Sequence, residues 1–211
     1  MGAARAHTTE GADGGEGLPL VFRQAVGALT AVRPRHEVRL DPLPPPRRLA
    51  PFAHALEASV TVDGEELADG RFVLLHDPGG QEGWHGTFRV VTLARAELEP
   101  EMAADPLLPE VTWSWLTGAL EARGTTYEAP SGTVTRSSSH YFGDLAERAA
   151  QAEIEIRASW TPPAHHEPVP DTAAHLLAWC ELLGQCAGLP PESGQHAGVV
   201  QLPQRRGPHP L

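Results

Sequence analysis

Side chains that alternate between apolar and polar recur in three stretches of this 211-residue chain, and that period of two restricts the fold more than any other feature. Leu56, Ala58, Val60 and Val62 alternate with Glu57, Ser59 and Thr61. Between Gly86 and Leu98, the residues Phe88, Val90, Ala94, Ala96 and Leu98 oppose Arg89, Arg95 and Glu97. Ile154, Ile156, Ala158 and Trp160 oppose Glu153, Glu155 and Arg157. Successive strand side chains point to opposite faces, so each stretch predicts a strand with one dry and one wet face. Arg71 to His76 is apolar on both faces and predicts a strand in the middle of the sheet. Gly132 to Ser138 supplies a fifth. Asp63-Gly64 and Asp77-Pro78-Gly79-Gly80 are turns, and strands joined by turns this short favour antiparallel pairing.

Helical spacing appears where the alternation stops. Phe22, Ala25, Val26 and Leu29 predict a helix from Leu20 to Val32, with Pro34 as its stop. A second helix opens at Asp105-Pro106 and Pro109-Glu110, carries Val111, Trp113, Trp115, Leu116, Ala119 and Leu120, and ends at Gly124. A third starts from a capping Asp171, carries Ala173, Leu176, Leu177, Cys180 and Leu183, and ends at Gly188. Pro42, Pro44, Pro45 and Pro46 predict an extended connector that is neither helix nor central strand. The expected architecture is therefore a two-layer α+β domain, a mostly antiparallel five-stranded sheet with all helices on one face, in the order α-βββ-α-ββ-α. One domain over residues 18–191 is expected, with disordered tails at 1–17 and 192–211, where Gly, Pro, His and Gln mix without apolar periodicity.

Composition narrows the chemistry. The chain has neither lysine nor asparagine, so all 16 basic residues are arginine. Schiff-base catalysis and phosphate-loop lysines are thereby excluded, because both need an ammonium group. Twenty-seven acidic residues give a net charge of −11. Such a surface repels phosphate backbones and anionic lipid, so no direct nucleic-acid or membrane partner is expected. The start of the chain lacks the pattern of a secretory signal. Cys180 and Cys186 lie six apart on a predicted helix, about 9 Å along its axis and on different faces, so they cannot bridge. Two buried free thiols suit a cytoplasmic location.

Three groups of side chains invite chemistry. His76 and Asp77, with His85, flank a turn, but no recognisable metal-ligand spacing accompanies them, and no metal or cofactor is expected. Glu97, Glu99, Glu101, Asp105 and Glu110 form an acidic run that also suits the first turn of a helix and a charge ladder with Arg95. Arg136, Ser138, His140 and Tyr141 combine guanidinium, hydroxyls and imidazole, without the tight elbow that a serine nucleophile requires. With Trp113 and Trp115, these four make a candidate binding surface. The catalytic alternative is a small hydrolase, with or without a metal ion, that gathers His76, Asp77, Glu97, Glu99, His140 and Tyr141 around one cleft. The favoured reading is a non-catalytic protein-binding, adaptor or chaperone-like module that takes a protein partner or a second copy of itself.

The segments LADGRFVLLHDP, RAELEPEMAADPLLPEVTWSWLTGALEARG, GTVTRSSSHYFG, EIRASWTP and PDTAAHLLAWCELL resemble an actinobacterial family of uncharacterised proteins, domain of unknown function (DUF) 3000. The resemblance spans roughly Leu18 to Pro191. It implies a cytoplasmic actinobacterial protein and carries over no catalytic residue. The element order is also similar to that of type III secretion chaperones, which hold other polypeptides and pair through a middle helix. That likeness is one of topology alone.

Overall fold

A computed structural model describes residues 17–164 and 168–191. The expected tails, Gly17 apart, and the His165-His166-Glu167 segment lie outside the described residues. In chain order the elements are α1 (Leu20–Ala31), β1 (Val38–Leu43), β2 (Phe52–Val62), β3 (Glu65–His76), β4 (Phe88–Leu98), α2 (Pro100–Ala104), α3 (Leu108–Ala122), β5 (Glu128–Ser139), β6 (Gln151–Thr161) and α4 (Thr172–Cys186). The strands form one sheet in the order β1-β2-β3-β4-β6-β5, with every neighbouring pair antiparallel. The expected α+β class holds, with two corrections. The sheet has six strands rather than five, and a short helix, α2, precedes the middle one.

The sixth strand is β1, which occupies part of the stretch expected to be a connector. Pro42 lies within it, opposite Leu56 of β2. Proline removes a ladder donor, and a strand can accept that loss only at an edge, which is where β1 sits. The apolar middle strand is correctly expected, since β3 lies between β2 and β4.

Even-numbered positions of β2, β3, β4 and β6 form the dry face. Val60, Phe72, Leu74, Val90, Ile154, Ile156 and Trp160 are all essentially buried there. All three long helices pack on that face, and α4 lies across β2, β3 and β4. Helix α4 is apolar nearly all round, with Leu176, Trp179, Leu182 and Leu183 fully buried, as befits a helix enclosed by the sheet and by α1 and α3. Asp171 caps it by accepting from Ala174 N at 3.1 Å. Thr172 donates to Ala25 O at 2.8 Å and ties the start of α4 to α1.

Two glycines set the spacing between the layers. A Cβ on Gly70 of β3 would stand 2.7 Å from the Trp179 ring and 2.5 Å from Leu93 O. A Cβ on Gly132 of β5 would stand 2.7 Å from the Trp113 ring and 2.3 Å from Arg157 O. Both tryptophans therefore approach the sheet backbone where a side chain is missing.

The odd-numbered face carries no helix among the described residues. Arg95 donates to its cross-strand partner Glu155 at 2.9 Å, and Arg157 reaches the same carboxylate at 2.6 Å. The two arginines, Arg157 first, hold the Glu155 carboxyl below its ordinary range. The charge ladder expected from the alternation thus exists, although Arg95 pairs with β6 rather than with Glu97 of its own strand.

Candidate functional site

The six residues of the catalytic alternative are divided between the two ends of the sheet. His76 and Asp77 close β3, beside the start of β4 and Phe52 of β2. Glu97 lies near the far end of β4, Glu99 follows that end, and His140 and Tyr141 follow the end of β5 that lies beside it through β6. The 11 residues of β4 separate the two groups by roughly 34 Å, at about 3.4 Å per residue.

Each of these groups has local work. His76 is 2% exposed and its ring stacks on Phe88, with centroids 4.2 Å apart and Phe22 and Phe52 close by. Its Nδ1 lies 2.9 Å from Thr87 O, and burial pushes its pKa down. Asp77 accepts from Gly79 N and from Gln81, holding the turn before β4. His140 Nε2 lies 3.1 Å from Ser138 Oγ, and Tyr141 donates to Gln151. No hydrogen bond or ion pair joins any two of Glu97, Glu99, His140 and Tyr141 among the described residues. A hollow of ≈ 190 Å³ on the open face is lined by Glu66, Asp69, Glu97 and Glu153 beside Arg95, and contains none of the proposed imidazoles. No group of three or more metal-ligating side chains occurs among the described residues.

The candidate binding residues lie closer together. Arg136 of β5 donates to Asp105 O at 2.6 Å, joining the strand to the turn ahead of α3. Trp113 and Trp115 of α3 are half-buried against the core, and Trp113 sits over Gly132. Val111, expected in the buried stripe of α3, is 39% exposed, because the stripe runs through Leu108, Thr112, Leu116, Ala119 and Leu120.

Sequence reasoning missed the feature that unites this region, an open sheet edge. Among the described residues, β5 pairs only with β6. Ala129, with φ of 45°, and a register shift between Glu128 and Ser131 bend its start. From Ser131 to Ser139 the pairing is continuous and nearly every residue is exposed. The outer N–H and C=O groups of this stretch have no strand to bond among the described residues. Beyond its end the chain exposes Phe142 at 81% and Leu145 at 45%. The opposite edge is guarded: β1 has only 6 residues, contains Pro42 and carries the Arg39–Asp41 ion pair.

The model of the family described as Protein of unknown function (DUF3000) matches residues 18–197. The chain belongs to this family. The match covers the whole sheet and all four helices, in agreement with the resemblance read from the sequence. No curated protein and no solved structure matches the chain. Membership in DUF3000 assigns no activity, so any role must be argued from the geometry above. No helix among the described residues is long and apolar enough to cross a membrane.

Proposed function

We propose that the chain is a non-catalytic binding module that takes an extended segment of another polypeptide onto the β5 edge. The observation that carries this reading is the asymmetry of the two edges. β1 shows the devices that discourage strand addition, namely shortness, proline and charge, while Ser131 to Ser139 shows few of them. Arg136 is the only charged residue in that stretch, and it is turned toward Asp105. Strand addition supplies affinity through main-chain hydrogen bonds, and alternate side chains supply selectivity. Phe142 and Leu145, exposed beyond the strand, offer apolar anchors for the same partner.

A second copy of the chain is the alternative occupant, since an antiparallel pair of β5 strands would bury both edges. The proposal includes a cytoplasmic setting, supported by two buried thiols outside any disulfide, Cys180 and Cys186. An actinobacterial origin is supported by the resemblance and by the arginine-only basic composition. The hydrolase reading finds no support in six residues split between opposite ends of the sheet.

The test is photo-crosslinking in the cells that make the protein, with a benzophenone side chain at Thr135 and, as control, at Arg39 on the guarded edge. A discrete polypeptide adduct at Thr135 and none at Arg39 is expected. An adduct to a second copy would name the occupant as the chain itself. Equal labelling at both positions, or none at Thr135, would overturn the proposal.

A further inference from the structure

The open face of the sheet holds one buried arginine that no carboxylate answers among the described residues. Arg39, Arg95 and Arg157 on this face each have an acidic partner within 3 Å. Arg89 is more deeply placed, at 7% exposed, and has only hydroxyl partners among the described residues. Its Nη1 donates to Thr161 Oγ1 at 3.1 Å, and its Nη2 donates to Ser159 Oγ at 2.7 Å and to Ser131 Oγ at 3.3 Å. Guanidinium groups stay charged in proteins, and burying a cation without a counter-charge is strongly unfavourable. Burial accordingly pushes the Arg89 pKa down.

The donors around Arg89 exceed the acceptors. At least two of the five guanidinium N–H groups have no acceptor among the described residues. Thr161 spends its own proton on Trp84 O. Ser131 and Ser159 lie 3.1 Å apart, so one donates to the other and one serine proton remains without an acceptor among the described residues. Ser131 is exposed where Arg89 is not, which puts the approach on the β5 side. A net charge of −11 repels multiply charged anions, and one cation balances one negative charge.

We propose that Arg89, Ser131 and Ser159 form a binding site for a single carboxylate, reached from the β5 edge. The carboxylate belongs either to a small free acid or to a polypeptide, as an acidic side chain or a chain end. The site stands independently of strand addition, although Ser131 belongs to the same edge.

The experiment follows the Arg89 Nε–H signal and the Ser131 and Ser159 amide signals by NMR, at constant pH and ionic strength. The probes are sodium acetate, sodium phosphate and sodium chloride. A saturable shift with acetate is expected, absent with chloride and lost in Arg89→Met. That variant is expected to fold, because a buried charge replaced by an apolar side chain of similar length is tolerated. If it does not fold, Ser131→Ala with Ser159→Ala is expected to weaken acetate binding at least ten-fold. An acetate response that does not saturate, or that survives undiminished in the variants, overturns the proposal, and tighter binding of phosphate than acetate overturns the carboxylate assignment. A blocked peptide Thr-Val-Glu-Val-Thr and its Gln counterpart separate the sources. Binding of the Glu peptide at least ten-fold tighter than acetate and than the Gln peptide names a polypeptide, and equal binding of the Glu peptide and acetate names a free acid. Saturable acetate binding with no binding of either peptide supports this site while counting against the strand-addition reading.

Discussion

Replacing Gly132 by alanine tests how α3 is seated on the sheet and how the open edge is held. The new Cβ meets Arg157 O at 2.3 Å and the Trp113 ring at 2.7 Å. A methyl group forced into a packed site costs about 1–3 kcal/mol, and the carbonyl cannot rotate away as a side chain could. Against this, alanine in place of glycine in a strand recovers about 0.5–1 kcal/mol of backbone entropy. The balance is a loss of about 1 kcal/mol. With a urea m-value of roughly 1–3 kcal/mol per molar, the midpoint followed by tryptophan fluorescence should fall by about 0.5 M. Part of the clash is with the ring, so Gly132→Ala should cost less in a Trp113→Ala background, with a coupling of at least about 0.5 kcal/mol. A midpoint at or above that of the parent chain, or two strictly additive substitutions, would refute this placement of Trp113.

Three further outcomes follow from the core. His175 accepts from Trp160 Nε1 at 3.1 Å, and its burial pushes its pKa down to about 4. The unfolded chain therefore binds this proton first on acidification, so the associated stability is complete above about pH 6.5 and is lost as pH falls toward 4, a swing of about 3 kcal/mol. His54 and His76, also pushed down by burial, act in the same direction. Urea melts from pH 7.5 to 4.5 should show this decline, and His175→Gln should flatten it; an unchanged slope would count against a neutral buried His175. Thr172→Val removes the 2.8 Å bond to Ala25 O and leaves that carbonyl without it, at about 1–3 kcal/mol, read as a lower midpoint. Burial raises the Cys186 thiol to about 12, and Cys180 is buried beside the same core, so neither should react with a thiol reagent at pH 8 faster than the protein unfolds. Rapid labelling of either would contradict the depth of α4.

The sheet's central strands were legible because burial on one face writes itself into alternate residues. Phe88 to Leu98 and Ile154 to Trp160 show the dry face that the structure covers with helices. The first half of β3 was less legible. Glu65, Glu66, Asp69 and Gly70 are poor strand formers, and they pair only because the Asp63-Gly64 turn brings them against β2. β1 was hidden by Pro42 and by its mixed polarity, since an edge strand has little burial to impose a pattern. Arg89 sits at a position of polar alternation and looks like Arg95 in the sequence. Its burial comes from Thr161, Ser159 and Ser131, 42 to 72 residues away, a neighbourhood that local periodicity does not encode. The open β5 edge was likewise out of reach, because an unpaired edge depends on strand order. Gly132 to Ser138 reads as a strand in the sequence, but nothing in it shows that only its β6 side is paired.

Residue-resolved amide hydrogen exchange of the isolated protein bears most directly on a free β5 edge. Between Ser131 and Ser139, alternate amides should exchange quickly because they point outward, the amides between them should be protected by β6, and the β6 amides bonded to β4 and β5 should be slow throughout. Uniform protection along β5 would mean that the edge is already covered, and uniform fast exchange would mean that the strand does not form; either result would contradict the account.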